Sequence, residues 1–317
     1  MSAGEAGHAP VMLSEVLGAL AVREGNTVID ATVGRGGHSE AIARRLGKGR
    51  ILMVDRDQSN LEFARARVAA SAPRCEVIAR HGDFRDIAFL ASRAGIVADA
   101  LLADLGVAST HLDTPERGFG FQQDGPLDMR LDCTALRSAA ELVRDATESE
   151  LADIIFYLGE EPFARRIARK VVQTRETEPI KTTAHLARLV REAYGSRARA
   201  SRLHPATRTF MALRIAVNDE LGALEGLLSA VASAARARGT GWLAMGARVA
   251  IISFHSLEDR PVKQTFAALS DEGVVKRLSR KPVMASDEEL ARNPRARSAK
   301  LRIISLTDTL NDTEVAP

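Results

Sequence analysis

The 317-residue sequence predicts a doubly wound, Rossmann-like α/β core that carries an inserted, mostly helical domain. Short β-branched apolar runs alternate with amphipathic helical stretches through the first hundred residues, which is the pattern of βαβ units and a parallel sheet. From about Asp113 to Leu203 such runs almost vanish and helical periodicity takes over. Strand character returns at Arg248. A sheet interrupted after four strands and resumed at a fifth implies a discontinuous core, residues 1–112 with 204–317, and an insert at 113–203. Such an insert would overhang the carboxyl ends of the strands, where ligands bind in open α/β sheets.

The elements follow in order. Strands are expected at Thr27–Asp30, Arg50–Asp55, Glu76–Arg80 and Asp99–Asp104, with helices at Ser39–Leu46, Ser59–Ala70 and Asp86–Ala94 between them. Gly47 and Gly49 stop the first of these helices and Gly95 stops the third. In the insert, Glu148–Leu158 and Phe163–Val172 have helical spacing on either side of a Glu160-Glu161-Pro162 break. Pro205 opens a helix whose Phe210, Leu213, Val217, Leu221, Leu224 and Leu228 form one apolar stripe; Arg214 and Asn218 lie off that stripe and are expected to face the crevice. A strand at Arg248–Ser253 precedes a helix at Leu257–Leu269. Two last strands, Val274–Leu278 and Lys300–Leu306, flank a polar loop.

Composition narrows the function classes. A 45% hydrophobic content supports a full core. No apolar run reaches the ~18 residues of a membrane span, and the N-terminus lacks the basic and apolar regions of a secretory signal, so a cytoplasmic protein is expected. Cys75 and Cys133 have no metal-ligand spacing and the histidines form no HxxH or HExxH pattern, so no metal is expected. The net charge of +3 is small, but its distribution is uneven. Seven arginines lie between Arg188 and Arg214 against the single acid Glu192, and nine basic residues lie between Lys276 and Arg302 against three acids. These segments are either solvated faces or a shared surface for a polyanion, with Arg199, Arg202, Arg208 and Arg214 as the candidate RNA contacts.

The stretch Asp30-Ala-Thr-Val-Gly34-Arg-Gly36-Gly37-His38 joins the first strand to the first helix of the core, and its glycines allow a sharp turn and close approach to a ligand. Asp55 ends the second strand nineteen residues after Gly36, where a carboxylate can accept both hydroxyls of a ribose. NAD and S-adenosylmethionine both fit that geometry. Ser39 occupies the place of the last small residue of the NAD fingerprint, and Asp30 is unhelpful beside a pyrophosphate but suited to the ammonium of a methionine moiety, so S-adenosylmethionine is favoured. After the third strand, Phe84 can stack on adenine with Asp83 accepting from its amine, or both can serve the core and a turn. Asp104 ends the fourth strand either facing the reacting group or as a turn cap.

Longer strings point to a family. His8-Ala-Pro-Val-Met-Leu-Ser-Glu-Val16, Gly34-Arg-Gly-Gly-His-Ser39, Val54-Asp-Arg-Asp57, Asp104-Leu-Gly-Val107 and Glu116-Arg-Gly-Phe119 occur in order. Asp124-Gly-Pro-Leu-Asp-Met-Arg130, His204-Pro-Ala-Thr-Arg-Thr-Phe210, Ala212-Leu-Arg-Ile-Ala-Val-Asn-Asp-Glu-Leu221, Ile252-Ser-Phe-His-Ser-Leu-Glu-Asp-Arg260 and Ser298-Ala-Lys-Leu-Arg302 follow. With these strings the chain resembles the bacterial 16S ribosomal RNA cytosine-N4 methyltransferases, the RsmH/MraW family. The resemblance implies a class I methyltransferase core with a helical insert. It also implies transfer of a methyl group from S-adenosylmethionine to the N4 amine of a cytosine in the decoding region of 16S rRNA, within the small ribosomal subunit. It places cofactor contacts at Gly36, Gly37, His38, Asp55, Phe84, Asp104 and His111. Ala108-Ser-Thr-His111 departs from the family's usual Ser-Ser-Pro-Gln at that last site, although a histidine still offers a hydrogen bond.

The amine needs an acceptor to orient its lone pair. Many exocyclic-amine methyltransferases carry an Asp/Asn/Ser-Pro-Pro-aromatic motif after the fourth strand, and Asp104-Leu-Gly-Val lacks it, so Asp104 serves the cofactor, the amine or both. Ser253 and His255, at the end of the fifth strand, are the other catalytic candidates; His255 reads equally as a satisfied turn residue. Ser256-Leu-Glu-Asp259 has the spacing of a capping box. Two other functions fit parts of the sequence: an NAD-dependent oxidoreductase, which Ser39 and Asp30 oppose, and a non-catalytic ribosome-assembly factor, which the intact glycine loop opposes.

Overall fold

A computed structural model describes residues 10–200 and 204–307, with the side chains of 199 and 200 left aside. The chain divides into two compact units, Met1–Gly106 with Leu221–Pro317, and Val107–Glu220. No helix among the described residues is long and apolar enough to cross a membrane.

The first unit is built on one sheet of eight strands: β1 (Thr27–Asp30), β2 (Arg50–Asp55), β3 (Glu76–His81), β4 (Ala98–Asp104), β5 (Leu243–Ser253), β6 (Val275–Arg277), β7 (Val283–Met284) and β8 (Lys300–Leu306). Their order is β3-β2-β1-β4-β5-β8-β6, with β7 paired to β8. Strands β1 to β5 pair in parallel, and β8 runs antiparallel to β5, β6 and β7. The order reverses between β1 and β4, which opens a crevice at their carboxyl ends. The expected Rossmann-like core is present. Strand β5 begins five residues earlier than expected at Leu243, where it pairs with Ala98 across a register shift, and the expected polar loop supplies β7.

Both faces of the sheet are covered, as parallel strands require. Ile29, Leu52, Val54, Leu101 and Ile251 point to one core, which Leu224, Leu227, Val231 and Phe266 complete. The alternate residues Val28, Ile51, Met53, Leu102 and Ile252 point to the other, against Val16, Ile42, Leu46 and Leu61. These last come from helices α1 (Leu13–Leu20), α2 (Gly37–Leu46) and α3 (Gln58–Ser71); α4 (Ile87–Arg93) packs on the first face.

The second unit is helical: α5 (Ser109–Asp113), α6 (Ala139–Asp145), α7 (Glu148–Asp153), α8 (Ala164–Arg175), α9 (Thr183–Tyr194) and α10 (Ala206–Asn218). It runs past the expected 113–203 at both ends, and at its C-terminal end the reason is that α10 packs into the helical core. The single apolar stripe read from Phe210 to Leu228 is two helices. Asp219, at φ 47°, breaks it between α10 and α11 (Glu220–Arg236). Phe210 and Leu213 then serve the helical core, while Leu224 and Leu228 serve the sheet.

Asn218 shows why α10 stays with this unit. Its amide nitrogen donates to the Met129 carbonyl at 2.7 Å and the Arg214 carbonyl at 2.9 Å, and its oxygen accepts from the Leu131 N–H at 2.8 Å. The side chain is buried and cross-links the helix to the 129–131 loop, so it does not face the crevice as its spacing suggested. Asn218→Ala is expected to cost about 2–4 kcal/mol, because it strands buried loop groups without partners. Urea titration should show a lower midpoint at unchanged slope.

Candidate active site

The crevice lies where β1, β2 and β4 end in Asp30, Asp55 and Asp104. Asp30 is buried, and its carboxylate accepts from the Ser39 hydroxyl at 2.5 Å and the Thr32 N–H at 3.2 Å. Ser39 thus has a positive role beyond displacing a small residue: it ties the start of α2 to the end of β1. Asp55 accepts from the Gly34 N–H at 2.6 Å through one oxygen and from the Asp57 N–H at 2.8 Å through the other, so it shapes the glycine loop. Asp57 caps α3 by accepting from Ser59 and Asn60. Gly36 sits at φ +76°, and a Cβ there would come within 2.8 Å of the Ala64 Cβ on α3. A Cβ on Gly37 would meet Pro10 at 3.2 Å. Packing therefore demands glycine at 36 before any ligand does, while at 37 it leaves a tight fit against Pro10.

His38 and Asp104 face each other. The His38 Nε2 lies 2.9 Å from the Val11 carbonyl, which accepts only from a protonated nitrogen, so Nδ1 carries the lone pair. That Nδ1 is 3.7 Å from Asp104 Oδ2. Burial pushes His38 down to about 4, so it stays neutral and offers no compensating charge. Asp104 is fixed through its backbone, whose N–H donates to the Thr32 hydroxyl at 2.6 Å. Its Oδ1 is buried and has no hydrogen-bond partner among the described residues. Burial, with Asp30 and Glu258 nearby, raises the Asp104 carboxyl well above the usual carboxylate range. Burial likewise lifts Asp30 to about 6 against the opposing pull of Ser39. Among the described residues neither Asp30 nor Asp104 is paired with a lysine or arginine, which makes their end of the crevice complementary to a positively charged ligand. The pairing of His38 with Asp104 and the role of Thr32 had no signal in the sequence beyond their adjacency to the loop.

Other candidates fall elsewhere. Phe84 opens a short turn after β3 and packs partly buried against the sheet core. Asp83 accepts from the Arg85 N–H and Nε, both at 2.9 Å, and lies 3.4 Å from Arg56, so its carboxylate is already engaged. Ser253 is fully buried, with its hydroxyl 3.5 Å from the Lys300 carbonyl on β8, a structural position at the sheet rather than an open nucleophile. His255 Nε2 lies 3.1 Å from Glu258 Oε1, and the other Glu258 oxygen accepts from the Phe254 N–H at 2.8 Å. The cap of the helix Ser256–Asp271 is thus shifted by one residue from the expected box: His255 is the N-cap and Glu258 the third helical residue. His111 belongs to the second unit, buried against Phe119 with ring centroids 5.1 Å apart, and its Nδ1 accepts from the Ala108 N–H at 3.1 Å.

The basic segments are partly consumed within the fold. Arg214 forms a bidentate pair with Glu220, at 2.7 and 2.8 Å, which withdraws it from a phosphate-binding role. Arg208 is exposed on α10. Arg202 lies outside the described residues, as does the side chain of Arg199. In the second segment Arg302 and Lys300 hold Asp259, and Arg292 pairs with Glu288, which leaves Lys276, Arg277, Arg280, Lys281 and Arg297 exposed.

Comparison with known proteins adds the family. A model described as the MraW methylase family matches residues 5–307. The chain is 46% identical over 303 residues to ribosomal RNA small subunit methyltransferase H of a Cyanothece species, covering 96% of each. It is 45% identical over 300 residues to the protein of that name from Solibacter usitatus, covering 94% of this chain and 99% of the other. It is 47% identical over 314 residues to that of Nitratidesulfovibrio vulgaris, covering 93% and 84%.

The packing of the glycine loop sets a test that needs no ligand. Gly36→Ala combines a left-handed backbone with a forced contact on Ala64 and is expected to lose about 2–4 kcal/mol of stability. A denaturation midpoint equal to wild type would show that α3 yields freely to the loop.

Proposed function

The chain belongs to the MraW methylase family, and from that premise we propose that it transfers a methyl group from S-adenosylmethionine to the N4 amine of a cytosine in the decoding region of 16S rRNA. The observation that carries the cofactor is the acidic pocket beside the glycine loop, where Asp104 Oδ1 is buried with no partner among the described residues. Its ligand is a cation. The names of the relatives support small-subunit ribosomal RNA as the substrate, and the strings shared with the family support cytosine N4.

When bound, S-adenosylmethionine supplies an electrophilic methyl on a sulfonium, which needs no acid to leave. The chain's own residues then have positioning and proton-holding roles. Asp30 takes the ammonium of the methionine end, and Asp55 offers its carboxylate to the ribose hydroxyls while keeping Gly34 in place. The partly buried ring of Phe84 gives a face for adenine. Asp104 Oδ1 accepts a proton of the cytosine amine, which turns the nitrogen lone pair out of conjugation with the ring. The same oxygen receives the proton that the nitrogen sheds once the N–C bond has formed. Neutral His38 brings no charge to offset burial, so it is the cationic ligand that favours the ionised form of Asp104.

Two outcomes follow. Asp104→Asn keeps the size of the side chain but loses the charged acceptor, so single-turnover methylation at saturating cofactor should fall by about 100-fold or more while cofactor affinity changes much less. A near wild-type rate under those conditions would assign Asp104 to cofactor binding alone. The second outcome is a pH dependence. The raised pKa of Asp30, about 6, means that the free protein holds this proton below pH 6 and that a cationic ligand must expel it. Through this proton, affinity for S-adenosylmethionine should fall by roughly ten-fold per unit below pH 6, with His38 still neutral there. Calorimetric titration of wild type and Asp30→Asn measures this; the variant should bind weakly and without the slope.

A further inference from the structure

The helical unit carries a surface that the methyl-transfer residues do not use. Helix α7 runs on into a wide π turn at Ile154–Leu158, a conformation rare outside functional segments. Ile155 goes into the core, while the neighbouring Phe156 and Tyr157 both point outward, 52% and 65% exposed, with ring centroids 5.1 Å apart at 81°. The turn that follows is rigidly held. The buried Glu161 carboxylate accepts from the Tyr194 hydroxyl at 2.6 Å and the Phe163 N–H at 2.8 Å, and so fixes the entry into α8. Between these elements lies a groove of about 340 Å³ lined by Phe156, Tyr157, Phe163, Arg165, Arg166 and Asp153. Arg166 and Arg197 approach the Phe163 ring at 6.0 and 5.5 Å. Among the described residues neither Arg165 nor Arg166 has a carboxylate partner, whereas Glu148 nearby is 3.4 Å from Arg169.

Exposed aromatic faces beside unpaired guanidiniums, on a rigid turn, are the combination that captures single-stranded nucleic acid: rings stack on bases and arginines neutralise phosphates. A purely apolar partner would leave the arginines uncompensated. We propose that this groove anchors an unpaired segment of the RNA substrate, with a base stacked on Phe156 or Tyr157 and the adjoining phosphates on Arg165 and Arg166. The proposal rests on the reading that the substrate is ribosomal RNA.

The test uses the full chain, a short fluorescein-labelled single-stranded RNA of mixed sequence, and a hairpin of the same composition. Fluorescence anisotropy should show preference for the single strand. The double variant Phe156→Leu/Tyr157→Leu, which keeps the apolar bulk, should weaken single-strand binding by roughly ten-fold or more and hairpin binding little. Arg165→Gln/Arg166→Gln should flatten the salt dependence of single-strand binding. The helical signal in far-ultraviolet circular dichroism and its urea midpoint report that the helical unit of each variant is folded, and S-adenosylmethionine affinity, a property of the first unit, should not move. Equal single-strand affinity in the folded aromatic variant, or no binding of the oligonucleotide by wild type, overturns the proposal. So does a wild-type dimer that the aromatic variant dissociates, because the face would then join two copies of the chain. Methyl incorporation into small-subunit RNA by wild type separates the two readings: if it occurs while the variants bind like wild type, only the groove assignment falls.

Discussion

The first unit depends on one electrostatic constraint: three acids, Asp30, Asp55 and Asp104, end neighbouring strands, and among the described residues neither Asp30 nor Asp104 is paired with a lysine or arginine. Ser39 and Thr32 donate to Asp30, Gly34 and Asp57 donate to Asp55, and the Thr32 hydroxyl accepts from the backbone N–H of Asp104. Those bonds draw the glycine loop and the start of α2 into position. They do not discharge the site. Burial keeps the Asp30 and Asp104 carboxyls raised and His38 neutral, so the pocket retains an unmet demand for positive charge. A ligand that brings that charge gains what the fold has left unspent, and catalysis benefits because the acceptor is already in place.

The second unit solves a different problem. With no sheet to pack on, its helices close a core of their own from Leu142, Ile155, Ile167, Val171, Leu189, Val190, Phe210 and Leu213. The joints between them rely on buried polar groups that are fully engaged. Glu161 joins the π turn to α8 and α9, and Asn218 joins α10 to the 129–131 loop. Such joints leave the outer surface free to carry Phe156 and Tyr157, whose exposure the core does not require.

Much of this was legible in the sequence. The first four strands fall within a residue of their expected limits because their β-branched runs and glycine stops encode local structure directly. The acids at the strand ends were legible for the same reason: a residue at the tip of a parallel strand beside the order reversal has only one place to go. The RsmH/MraW resemblance reached the family through strings of residues whose roles, such as that of Asn218, became readable only in three dimensions.

What the sequence determined by itself is therefore local and periodic: the strands, the glycine loop, the acids Asp30, Asp55 and Asp104, and membership of the family. Only tertiary structure decided where long-range partners lie. The stripe from Phe210 to Leu228 has unbroken helical spacing, yet Asp219 divides it between two cores, a choice set by packing on either side. Arg214 reads as an RNA contact and is held by Glu220; Ser253 reads as a catalytic candidate and lies buried beside β8. A charge or hydroxyl in a sequence announces its chemistry but not its partner, because the partner is chosen by chain segments far away that close around it.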